Sequence, residues 1–176
     1  LLAAQINYLL RDVFYEAAYN TYAVTVTVTP LVEEFLKALP IIYFGFVISH
    51  KKEDLMNVAM ALGIGFAILE NFYILVVDTE AVTIGWALMR GFSSALLHGI
   101  CTSLVGYGVS YVKTRKKLFY TGTFGLLTMA IILHGLFNAF IQSQYAYIGV
   151  ILPIAIYIPF VIAPALKKKK PLSKVK

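Results

Sequence analysis

The sequence predicts an all-α fold, a polytopic bundle of transmembrane helices, on three observations. Apolar residues make up 60% of the 176-residue chain and charged residues 14%, against about 45–50% and about 25% in ordinary soluble domains. Five windows stay apolar over the roughly 20 residues that a membrane helix requires. The turns between those windows alternate between basic and non-basic. A chain of this kind has too few polar side chains to clothe a soluble globule and too little charge to stay unfolded in water. Its lone cysteine, Cys101, excludes a disulfide framework and any Cys-rich metal site.

The first predicted span covers about residues 22–49 and carries Pro30 and Pro40, so a kinked helix is expected there. The second covers about residues 55–77. The third, about residues 82–112, is long enough to tilt in the bilayer. The fourth covers about residues 118–141 and the fifth about residues 147–166. The fifth has no ionisable side chain before its end, which predicts a peripheral place in the bundle. Residues 1–21 form a separate N-terminal segment. Its first ten residues are apolar, but Arg11, Asp12 and Glu16 follow, so an interfacial helix and a partial sixth span both stay open. No basic stretch precedes the apolar start, and a signal peptide is not expected. Residues 21–27 alternate partly like a strand; an open strand edge finds no partners in lipid, so helix or extramembrane loop is expected.

Charge predicts orientation. Of the fifteen Lys and Arg that contribute to a net charge of +6, six lie in residues 167–176: Lys167, Lys168, Lys169, Lys170, Lys174 and Lys176. A basic end on an apolar chain marks a cytoplasmic membrane flank rather than a nucleic-acid surface. The turn after the first span holds Lys51 and Lys52, and the turn after the third holds Lys113, Arg115, Lys116 and Lys117. The turn after the second span carries Asp78 and Glu80 without Lys or Arg, and the turn after the fourth is the uncharged Gln142, Ser143 and Gln144. The alternation predicts a multi-pass protein of the cell membrane with residues 167–176 as a cytoplasmic tail.

Ionisable residues inside spans point to function, because each charge near the midplane costs roughly 2.5–3.5 kcal/mol on insertion scales. Here they are Glu33, Glu34 and Lys37 on the first span, Glu70 on the second, Arg90 and His98 on the third and His134 on the fourth. At about 1.5 Å per residue, Glu33 and Glu34 lie about 17 Å from the outer end, Glu70 and His134 about 10 Å, and His98 about 24 Å, less with tilt. Four helices therefore bring carboxylates and imidazoles to one level. His98 and Thr102, His134 and Asn138, and Glu33 and Lys37 are each four apart and share a helix face. Arg90 is expected to partner Glu70 or Glu34, Cys101 to pack, and the glycines Gly63, Gly65, Gly91, Gly99, Gly106, Gly108 and Gly135 to admit close helix approach.

No H-E-x-x-H occurs, the aspartates Asp12, Asp54 and Asp78 lie near span ends or in turns, and the serines near His98 lack a nucleophile motif. Glu plus His remains, the set that activates water, with or without a metal. A proton-coupled transporter and a non-catalytic scaffold are the rival classes, since Glu and His chains also relay protons.

Four ordered motifs carry a resemblance. Glu33-Glu34-x-x-Lys37, Gly65-Phe66-Ala67-x-x-Glu70-Asn71-x-Tyr73, Arg90 with His98-x-x-x-Thr102-x-x-x-Gly106-Tyr107, and His134-Gly135-x-x-Asn138 resemble the PrsW family of intramembrane proteases over about residues 31–140. That family shares a clan with the CAAX-processing proteases and with the non-catalytic APH-1 subunit of γ-secretase. The resemblance implies an intramembrane endopeptidase, a metalloprotease, whose protease domain spans residues 22–166. It implies Glu33 as the base that activates water, and Glu34 as a supporting or metal-binding carboxylate. It implies His98 and His134 as metal ligands or oxyanion stabilisers and Asn138 as an oxyanion donor. Glu70 matches a second acidic position and a further metal ligand, with Lys37, Asn71, Arg90 and Thr102 in support. Zinc is the metal expected of such donors, and water activation without metal stays open beside it. The partners implied are lipid and a single-span membrane substrate, of which membrane-anchored anti-sigma factors are the type associated with the family.

Overall fold

The structure, a computed structural model, describes residues 21–77, 83–112 and 114–168, with isolated positions among the first nine. The N-terminal segment and the basic tail fall almost wholly outside the described residues. Five helices follow one another where the apolar windows predict them: α1 Thr21–Val47, α2 Lys52–Val77, α3 Ile84–Val109, α4 Lys116–Ile141 and α5 Ala146–Lys168. No strand occurs among the described residues, and residues 21–27 are helical. Three stretches, Lys52–Val76, Ile84–Val109 and Lys116–Ile141, are long and apolar enough to cross a membrane by length and composition. Helix α1 is equally long but carries three ionisable residues in its middle, and α5 is apolar over Ala146–Pro159.

The bundle is apolar on its outside as well as in its core, and its buried charges sit within that core. On α1 the buried stripe is Pro30, Glu33, Glu34, Lys37, Ala38 and Ile41, at the three- and four-residue spacing of one helix face. The opposite face shows Leu31, Phe35 at 55% exposed, Leu39, Tyr43 at 61% and Phe46. An apolar outside with a polar cluster enclosed in the core suits a hydrocarbon solvent, in which buried charge must find partners within the protein. Helix α3 is central: it touches all four other helices and is buried without a break from Leu97 to Ser103. Helix α5 touches only α3 and α4 among the described residues, in line with its expected place at the edge. Cys101 is a packing residue, fully buried with its sulfur 3.5 Å from the carbonyl of Ala130.

Two close approaches set the helices around the site. Helix α1 runs on through Pro30 and Pro40 as one helix rather than breaking at them. Pro30 has no N–H, so the carbonyl of Val26 loses its helical donor. Gly135 of α4 lies so near that carbonyl that any Cβ would overlap it, and Asn138 donates its amide to the neighbouring carbonyl of Thr25 at 3.0 Å. Helix α4 thus packs onto the spot where proline weakens α1. Gly63 of α2 meets the backbone of His98 and Gly99 in the same way, which brings α2 directly against the histidine's own turn. Gly65 and Gly91 face open space, so the expectation of close packing fails for those two.

The ends are locally determined. Ser49 donates to Asp54 at 2.6 Å across the α1–α2 turn, and Thr83 caps α3 by accepting from the Trp86 N–H at 3.3 Å. The Lys52 ammonium lies 4.4 Å over the Tyr107 ring, tying the start of α2 to the end of α3.

Candidate active site

The ionisable residues of four helices meet in one buried cluster. Glu33, Glu34, Lys37, His98 and His134 are each at most 5% exposed. Glu34 is the hub: its Oε1 accepts from the Lys37 ammonium at 2.6 Å and lies 2.9 Å from His134 Nδ1. The same ammonium lies 2.6 Å from His98 Nδ1 and 4.5 Å from the centre of the Phe66 ring. His98 Nε2 lies 2.9 Å from Glu70 Oε2, whose side chain is about a quarter exposed. That contact lies within hydrogen-bonding distance. The His98 and His134 rings meet edge to face at 4.6 Å.

Donor chemistry orders these contacts. A lysine ammonium only donates, so His98 Nδ1 accepts from it and the ring hydrogen sits on Nε2, toward Glu70. A carboxylate only accepts, so His134 donates from Nδ1 to Glu34, which leaves the lone pair of its Nε2 unclaimed. That nitrogen looks toward Glu33 Oε2, 3.9 Å away. Glu33 Oε2 is itself buried with no hydrogen-bond partner, as is Glu34 Oε2. A buried carboxylate oxygen without a donor is costly, and such orphans mark a place where another group is received.

Glu33, His98 and His134 offer donor atoms that all lie within 4.8 Å of one another. Among the described residues no other group of three metal-ligating side chains does so. Glu34 and Glu70 stand behind the two imidazoles instead, Glu34 on the far nitrogen of His134 and Glu70 beside His98. A carboxylate on the second nitrogen of a histidine is the usual support for a metal-binding imidazole, fixing its tautomer and aim. The orphaned oxygen of Glu33 and the unclaimed nitrogen of His134 fit a metal ion, and His98 joins them once one of its nitrogens is released.

Of the remaining sequence candidates, Lys37 belongs to the cluster, while Thr102, Asn138, Arg90 and Asn71 lie around it. Lys37 pairs with Glu34 three residues before it, not with Glu33 four before it, as helical spacing had suggested. Thr102 donates to the backbone carbonyl of His98 at 2.8 Å and does not touch the ring. Asn138 is turned to α1, and Arg90 donates to Asn71 Oδ1 at 3.4 Å rather than to a glutamate. Phe66 has no role assigned by sequence; its ring stands 5.5 Å from that of His98 and under Lys37. Its place four residues before Glu70, on the same helix face, was the signal available.

Fold and site together define a helical integral membrane protein with a glutamate–histidine centre buried between its helices. The family model described as PrsW family intramembrane metalloprotease matches residues 1–164, and the chain belongs to that family. Comparisons with curated proteins and with solved structures gave no match.

Proposed function

We propose that this protein hydrolyses a peptide bond in or near the membrane segment of a single-span protein, with Glu33 as the group that activates water. One observation carries the assignment: Glu33 Oε2 is buried, lacks any hydrogen-bond partner, and faces both imidazoles. Glu33 takes a proton from the attacking water as the oxygen bonds to the substrate carbonyl carbon. It then gives that proton to the amide nitrogen as the carbon–nitrogen bond breaks. Glu34, held by Lys37, keeps His134 in the tautomer whose Nε2 faces Glu33. Phe66 and the close α2–α3 contact at Gly63 hold the His98 ring in place. A metal, zinc by the nature of the donors, would be held by His98 and His134 with Glu33 as its carboxylate neighbour. When bound it supplies Lewis acidity toward the carbonyl and lowers the pKa of water. The alternation of basic turns supports a multi-pass arrangement in the cell membrane with the C-terminus cytoplasmic.

The test is cleavage of a model single-span substrate by Glu33→Gln and Glu34→Gln. The first keeps shape but removes the base, and the rate should fall by about 10²–10⁴. The second should retain a measurable part of the rate. Near-full activity of Glu33→Gln with loss in Glu34→Gln would exchange their roles, and activity in both would end the peptidase assignment.

A further inference from the structure

A cleft of about 240 Å³ opens between the end of α2, the start of α3 and the α4–α5 turn, lined by Asn71, Ile74, Trp86, Arg90, Ile141 and Gln142 among others. It lies at the end of the bundle away from Lys52 and Tyr107. Arg90 enters no salt bridge among the described residues. It donates one 3.4 Å hydrogen bond from Nη1 to Asn71 Oδ1, and the Asn71 amide is spent on the carbonyl of Ala67 at 2.8 Å. A guanidinium has five N–H donors in a planar fork suited to a carboxylate, so most of its capacity is unspent here. Its charge acts on the Glu70 carboxylate at longer range, but no carboxylate bonds it, so the fork stays open to an acidic ligand.

The cleft and the catalytic cluster share helices α2 and α3, although no residue of the cluster lines the cleft. Asn71 follows Glu70, which touches His98, and Arg90 stands eight residues before His98 on α3 with the buried Ser94 midway between them. Eight helical residues span about 12 Å, and an extended peptide covers that distance in about three to four residues. We infer that this cleft binds the substrate: Arg90 receives an acidic side chain three to four residues from the scissile bond, and Trp86, Ile74 and Ile141 receive its apolar neighbours. Arg90 is then a specificity-determining residue rather than a catalytic one. The inference rests on the peptidase assignment, and its test is a binding measurement that needs no hydrolysis.

The Glu33→Gln protein in phosphatidylcholine nanodiscs is titrated with single-span peptides carrying one Glu walked through the segment entering the cleft, each beside its Gln counterpart. The best Glu peptide should bind about tenfold tighter than its Gln counterpart. Adding Arg90→Gln should abolish that difference and leave the Gln peptide's affinity unchanged, while Arg90→Lys should keep part of it. Equal weakening of both peptides by Arg90→Gln and Arg90→Lys would make Arg90 structural and overturn the inference. So would an absent Glu preference, or an Arg90 effect that follows added phosphatidylglycerol instead of the peptide's acid, which would mark a lipid site. Wild type that cleaves none of the peptides yet shows the Arg90-dependent preference would sink the peptidase assignment alone.

Discussion

Replacing Lys37 by Met tests whether the cluster is the stiff, charge-compensated unit described above. The Lys37 and Glu34 side chains are 2% and 0% exposed and 2.6 Å apart. Met fills nearly the same volume but leaves the Glu34 carboxylate buried with His134 as its remaining partner. Breaking a buried ion pair by removing one member costs about 3–5 kcal/mol. The His98 Nδ1 acceptor loses its donor as well, at about 1–3 kcal/mol, not fully additive. For a chain of this size the midpoint of thermal unfolding should fall on the order of 10 °C. Unfolding is followed in one detergent for wild type, Lys37→Met, Glu34→Gln and the double variant. Because the double variant removes both charges together, it should recover much of the loss, with a coupling of about 2–3 kcal/mol. A Lys37→Met protein that unfolds within about 2 °C of wild type, or a double variant equal to the sum of the singles, would refute the buried-pair account.

Gly63→Ala should push α2 from α3 at His98, costing about 1–3 kcal/mol and lowering cleavage. Gly65→Ala, with open space around it, should unfold within about 0.5 kcal/mol of wild type; equal effects of the two would show that helix contact at Gly63 is not the cause. His134→Ala should lose zinc relative to wild type in metal analysis of the purified proteins, and equal zinc content would remove His134 as a ligand. In topology mapping, a membrane-impermeant thiol reagent should label Asp78→Cys from outside the cell and Lys116→Cys only after permeabilisation. The buried Cys101 should stay silent in both, and the reverse pattern would invert the orientation.

The helices were legible because hydrocarbon is a demanding solvent. Apolar windows of about 20 residues have few alternatives to a helix, and all five predicted windows match observed helices to within a few residues. The inward direction of Glu33, Glu34, Lys37, His98 and His134 was equally legible, since charge facing lipid is too costly to retain. One helix through Pro30 and Pro40 was legible, but what covers its backbone beside Pro30 was not. Gly135 and Asn138, more than a hundred residues later in the chain, lie against the backbone at Val26 and Thr25.

Residue type and spacing alone thus determined the helical membrane fold, the polar interior and the family to which the chain belongs. They left the division of labour among the polar groups open. Neighbouring residues on a helix point about 100° apart, so a Glu-Glu pair shows that two carboxylates are inside without showing which one looks at the histidines. Only the rotation of α1 against α4 decides that, setting Glu34 on the back of His134 and Glu33 toward the open nitrogen in front. The same rotation gives Lys37 to Glu34 and His98 rather than to Glu33, and turns Asn138 onto the α1 backbone. Arg90 is likewise left facing a cleft instead of a glutamate by the way α2 and α3 cross. Such choices depend on contacts between residues distant in the chain, where no local periodicity records them.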